Sequence, residues 1–140
     1  MNTHPQTILW VDADGDAWNM RSVLLARLDL RTDVATSPDE ALQLLRNRKY
    51  AAVVIGCSFP DPAGTRICRE LRGFDRQTPV VLLDESPSES SRDEAFAAGV
   101  HAYASRSADP NDLVDLLAEL ITQNETGTRT NHKRASENDN

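Results

Sequence analysis

Carboxylates gather in this chain just where apolar runs stop. Asp12, with Asp14 and Asp16 close behind, follows "ILWV"; Asp61 follows "VVIGCSFP"; Asp84 closes "PVVLL". Such groups can hold a hard divalent cation or attack phosphorus as nucleophiles. Arg106 follows the run "HAYAS" and offers a planar, multi-donor cation suited to carboxylates. Gly56 ends "AAVVI" with no side chain at all. Acidic loop residues are more often helix caps and turn formers than ligands, so a cation site rebuilt from Asp12, Asp14, Asp16, Asp61 and Asp84 is the weaker reading. Ser58, Ser105 and Ser107 lack a histidine base in any recognisable motif, and His101 reads as a strand start, so nucleophilic hydrolysis has little support. Cys57 has no basic neighbour in sequence and reads as a small buried residue rather than a redox thiol.

The elements that would position these groups alternate along the chain. Short apolar runs, Thr7 to Val11, Thr32 to Thr36, Ala51 to Ile55, Pro79 to Leu83 and His101 to Ser105, are separated by stretches with helical spacing. That alternation predicts an α/β fold, a five-stranded parallel sheet covered by helices with its strands buried on both faces. Ser37-Pro38-Asp39-Glu40 predicts a capped helix start, and Ser91 with Glu94 predicts a second one that Gly99 would end. Asp109-Pro110 opens a last helix whose apolar stripe is Leu113, Leu116, Leu117, Leu120 and Ile121. The pattern ends at Thr122, so residues 7–122 form the domain and 123–140 a polar tail expected to be disordered.

Composition excludes several classes. A net charge of −7 over 140 residues argues against nucleic-acid binding, which rests on neutralising phosphates. Two cysteines are too few for a disulfide scaffold and lack zinc-site spacing. The start "MNTHPQ" lacks a basic region and a long apolar core, and no run approaches the length of a membrane span, so a cytoplasmic protein without membrane association is expected.

Taken in register, "ILWVDAD", "VVIGCSFPDPAG", "TPVVLL" and "AGVHAYASR" resemble the blocks of response-regulator receiver domains. Pro60, Gly64, Thr78-Pro79 and Ala98-Gly99 make the resemblance specific. It implies a doubly wound, flavodoxin-like five-stranded parallel sheet, and a site with an acidic pair after the first strand, a phosphoacceptor aspartate ending the third, a hydroxyl ending the fourth and a Lys-Pro ending the fifth. Here those positions are Asp12-Ala13, Gly56, Asp84 and Arg106-Ser107, and Asp12 alone keeps the family's identity. The usual acyl phosphate cannot form at Gly56, so a pseudo-receiver is implied, a phosphorylation-independent protein-interaction module with no catalytic residues, no cofactor and no bound metal.

Two readings of the exchanged charges stand side by side. Either Arg106 bridges Asp84 and Asp12, or Asp84 and Arg106 both face water. A flavodoxin-like domain binding a nucleotide or other small ligand in the vacated pocket, with Arg106 as anion contact, is the alternative function. An enzyme with a relocated carboxylate site at Asp12 and Asp84 is another. No glycine-rich phosphate loop supports the nucleotide, and "DADGDA" is acidic where an anion would approach. For partner binding, Trp18, Arg21 and Leu25 flank the first helix's core stripe of Ala17, Met20, Leu24 and Leu28. Tyr103 holds the position of the family's switch aromatic, next to a helix-four, strand-five and helix-five face that could serve an unidentified signalling partner or a homodimer.

Overall fold

The computed structural model describes residues 6–13, 18–56 and 63–126, with residues 18, 19, 63, 125 and 126 described by their backbone alone. Asp14, Asp16, Ala17, Cys57, Ser58, Pro60, Asp61 and the segment 127–140 lie outside the described residues, as does the side chain of Trp18.

Strands and helices alternate as β1 (Gln6–Val11), α1 (Trp18–Leu28), β2 (Leu30–Ala35), α2 (Pro38–Asn47), β3 (Ala52–Gly56), α3 (Ala63–Arg72), β4 (Val80–Asp84), α4 (Glu89–Ala98), β5 (Ala102–Ser105) and α5 (Pro110–Thr126). All strands are parallel, in the order β2-β1-β3-β4-β5. The expected doubly wound sheet is therefore the observed one. Because the β1 connection leads outward to β2 while β3 returns to the other side, the order reverses between β1 and β3, and the strand ends at Asp12 and Gly56 flank that crevice.

Side chains on successive strand residues point to opposite faces and build two cores. Leu9, Val11, Val53, Ile55 and Leu82 pack with Ile67 and Leu71 under α2, α3 and α4. Ile8, Trp10, Val54 and Val81 pack with Leu24, Leu117 and Leu120 under α1 and α5. Burial on both faces explains why the central strands read as unbroken apolar runs.

Helix punctuation follows local chemistry. Ser37 caps α2 by accepting the Glu40 N–H at 3.2 Å, while the Glu40 carboxylate accepts the Thr36 N–H at 2.9 Å, just outside the helix. At α4 the expected start is corrected: Ser88, not Ser91, is the cap, and its hydroxyl oxygen accepts the Ser91 N–H at 3.1 Å. Three serines fall in the six residues Pro87–Arg92, and the one three residues before a free N–H takes the cap. Gly99 closes α4 at φ 108, a left-handed conformation that glycine adopts without a Cβ penalty. Helix α5 runs on to Thr126, four residues past the end of the sequence pattern, with no helix breaker before Gly127.

Candidate functional site

Asp12 leaves β1 as its N–H bonds the Ala35 carbonyl at 2.9 Å, which prolongs the β1–β2 ladder and sinks its carboxylate to zero exposure. A buried carboxylate needs a counter-charge or several donors. Arg106 supplies the charge: its Nη1 donates to Asp12 Oδ2 at 2.8 Å, with the arginine side chain 23% exposed.

What allows the guanidinium so close is the bare backbone of Gly56. A Cβ placed on Gly56 would overlap Arg106 Nη1 and come within 3.0 Å of Asp12 Oδ2. Arg106 thus fills the space that a side chain at position 56 would take. The arginine itself is positioned by β5, whose ladder it extends by donating its N–H to the Asp84 carbonyl at 3.0 Å.

Asp84 stands apart from this pair. Its Oδ2 accepts the Tyr103 hydroxyl at 2.6 Å and its Oδ1 accepts the Ser86 N–H at 3.0 Å. The bridging of Asp84 by Arg106 is therefore corrected: the two meet through backbone atoms, and the guanidinium goes to Asp12. The reason is burial. Asp12 has no solvent to fall back on, whereas half-exposed Asp84 has solvent, a phenol and a backbone donor. Asp12 and Asp84 are thus each held by a different partner.

Tyr103 is half-buried against the core under α4, and its hydroxyl also accepts the Ser88 N–H at 3.3 Å. One phenol thereby joins the ends of β4 and β5 to the N-terminus of α4. Burial, and then the hydrogen bond to Asp84, push its pKa above the ordinary tyrosine value. On α1, Leu24 is buried and Met20 and Leu28 are half-buried, while Arg21 and Leu25 are exposed, Leu25 by 52%. Ala13 is exposed and brings no ligand atom to the crevice.

Residues 8–118 match the family model of the response regulator receiver domain. The chain belongs to that family. This receiver domain is 25% identical over 121 residues to the transcriptional regulatory protein SrrA of Staphylococcus aureus, an overlap of 86% of this chain and 50% of SrrA. The chain thus spans about half the length of that relative. Among solved structures it is similar to a CheY-like receiver domain protein from Methanospirillum hungatei JF-1, with a TM-score of 0.79, 19% identity and coverage of 89% and 99% of the two chains. It also resembles a LuxR-family two-component response regulator from Aurantimonas sp. SI85-9A1, with a TM-score of 0.77, 23% identity and coverage of 96% and 95%. Likeness at this identity speaks for the fold.

A third neighbour, the receiver domain of the sensor histidine kinase PA1611 from Pseudomonas aeruginosa PAO1, has a TM-score of 0.73 at 21% identity, covers 85% and 99% of the two chains, and carries a magnesium ion in its active site cleft. The described residues of this receiver do not fit such an ion. Asp12 Oδ2 is engaged by a guanidinium, Ala13 and Gly56 carry no carboxylate, and no cluster of three metal-binding side chains exists among the described residues. The volume exchange between Gly56 and Arg106 escaped the sequence reading, although a glycine at one strand end and an enlarged cation two strands away was the signal for it.

Proposed function

We propose that this receiver domain signals by protein contact and without phosphorylation at position 56. The observation that carries the reading is the Arg106 guanidinium lying on Asp12 in the space of a missing position-56 side chain. No nucleophilic carboxylate is available there, and the cation that a metal would otherwise supply is covalently part of the chain. Tyr103, tied to Asp84, holds the β4–α4–β5 region in one arrangement, which suits a constitutive binding surface.

Arg21 and Leu25 on α1, with Trp18 beside them in sequence, form the partner surface of first choice. A homodimer through α4, β5 and α5 is disfavoured by charge, since α4 and α5 expose Glu89, Asp93, Glu94, Asp112 and Glu119 against Arg92. The domain works in the cytoplasm in this reading; among the described residues no helix is long and apolar enough to cross a membrane. A ligand in the crevice is disfavoured because Arg106 already fills the space beside Gly56.

The test is incubation with a small-molecule phosphodonor and Mg²⁺, followed by intact mass. The expected outcome is an unchanged mass. A stoichiometric, hydroxylamine-labile phosphate adduct overturns the proposal.

A further inference from the structure

The end of the sheet opposite Asp12 and Arg106 carries a second cleft, of about 280 Å³, between the last turn of α2, the connection to β3 and the α3–β4 loop. Leu45 forms part of its wall and Phe74 its apolar rim. Phe74 is 46% exposed, one of two large apolar side chains so exposed among the described residues. Solvent exposure of a phenyl ring has no benefit to folding, because its transfer from water is what stabilises a core.

Cations surround the ring. The Arg46 guanidinium carbon lies 5.6 Å from the Phe74 ring centroid, and its one ion pair among the described residues, to Glu70, is long at 3.9 Å. Lys49 is exposed and makes no ion pair among the described residues. The helix macrodipole accounts for Arg46 in the last turn of α2, and Asp33 accounts for Arg48 at 3.0 Å. Neither gives Lys49, which lies beyond the cap, a direct ion pair, although the charge of Asp75 acts on it across the lining. The carboxylate in the lining, Asp75, is turned onto its own loop, where it accepts the Gln77 and Thr78 N–H groups at 2.9 and 3.0 Å. The rim is thus positive on a chain whose net charge is −7.

We infer that this cleft docks an acidic segment of a partner protein, with one apolar side chain against Phe74 and carboxylates at Arg46 and Lys49. Its volume lies at the lower edge of the ~300–1,000 Å³ typical of small-molecule sites, and suits one inserted side chain with flanking charges. Aromatic and arginine side chains are the types that dominate binding energy, and opposite charge around them sets orientation and encounter rate. The inference rests on the reading that this receiver acts by protein contact, but not on inertness at Gly56.

The probe is a fluorescein-labelled hexapeptide, Glu-Asp-Leu-Phe-Glu-Asp, titrated against the full chain by anisotropy and by amide chemical shifts. Saturable binding is expected, with the largest shifts at Lys49 and Phe74. Lys49→Glu and Phe74→Ser should each weaken it about tenfold, with circular dichroism confirming that both variants fold. The inference is overturned if Glu-Asp-Ser-Ser-Glu-Asp binds as well, or if neither substitution matters. Inorganic phosphate or a nucleotide giving the same shifts at lower concentration, or sedimentation showing a second copy in the cleft, overturns it too. A phosphate adduct in the phosphodonor test removes the functional reading and leaves the peptide result standing, so the two failures are distinguishable.

Discussion

Arg106 and Gly56 are one feature rather than two substitutions. The guanidinium reaches Asp12 because position 56 has no Cβ, and Asp12 tolerates complete burial because the guanidinium arrives. Removing one member of a buried pair leaves an uncompensated charge that costs ~3–5 kcal/mol. Since the Arg106 side chain keeps 23% exposure and water can enter beside Gly56, Arg106→Ala is expected to destabilise by less, about 2 kcal/mol. Denaturant melts of a double-mutant cycle separate the two possible acids. Asp12→Ala with Arg106→Ala should be non-additive by more than ~0.5 kcal/mol, while Asp84→Ala with Arg106→Ala should add within ~0.3–0.5 kcal/mol. Additivity in the Asp12 cycle would mean that the pair is not a lock. The exchange of charge between Gly56, Asp84 and Arg106 was legible in the sequence because sign is written in residue type. Asp12 and Asp84 were both legible as partners of Arg106, but which of them holds the guanidinium was not, because burial decides it, and burial depends on where the backbone ends each strand.

Between elements, Tyr103 and Asp75 each hold a loop by hydrogen bonds, and their stabilisation responds to pH with opposite signs. Asp84 is the anchor for Tyr103, which in turn reaches Ser88, the cap of α4. A raised tyrosine pKa means that the stabilisation is complete below the unfolded value of ~10 and is lost as pH rises through the folded one. Tyr103→Phe should therefore cost about 1 kcal/mol at neutral pH, the modest net worth of one half-exposed hydrogen bond, and the gap to wild type should close in alkaline melts. Absorbance titration near 295 nm should lose the ionisation of Tyr103 in the same variant and keep that of Tyr50, which burial pushes up to about 12. At the other end of β4, burial raises Asp75 but hydrogen bonds from Thr78 and Gln77 outweigh it and hold the carboxyl below its ordinary value. Here the stabilisation is present above the unfolded value of ~3.9 and lost as pH falls through the folded one. Asp75→Asn should be less stable than wild type at pH 7, with the difference shrinking in acid. An equal deficit at every pH would show that the loop does not depend on the charge. Strand and helix identities were legible because buried strands and capped helices write themselves as apolar runs and Ser-Pro-Asp-Glu motifs. The cap of α4 was missed by three residues because a serine-rich stretch offers several caps, and the geometry of Tyr103 and Asp84 selects among them.

At the scale of the molecule, the proposal that this receiver does not switch rests on two groups that are already engaged. Arg106 stands on Asp12 at one strand end, and Asp84 holds Tyr103 at another. The framework that carries this was readable in advance, since alternating periodicity marks the strands and helices of a parallel sheet and such sheets bind at the carboxyl ends of their strands. The contents of the crevice were readable only as residue types. The decisive case is Gly56→Asp. Its Cβ would displace Arg106 Nη1, the far end of a flexible side chain that can swing away, so the variant should fold. The new carboxylate would sit beside buried Asp12, however, and the one guanidinium would then be shared between two like charges while Ala13 still lacks an acid. We expect a loss of about 1–3 kcal/mol relative to wild type, in the range of overpacked interiors. Addition of phosphodonor and Mg²⁺ should leave the amide spectrum of α4 and β5 unchanged in both proteins. Rapid Mg²⁺-dependent labelling of Gly56→Asp, with shifts spreading to Tyr103, would show instead that a single acid suffices and that Arg106 is no obstacle to the switch.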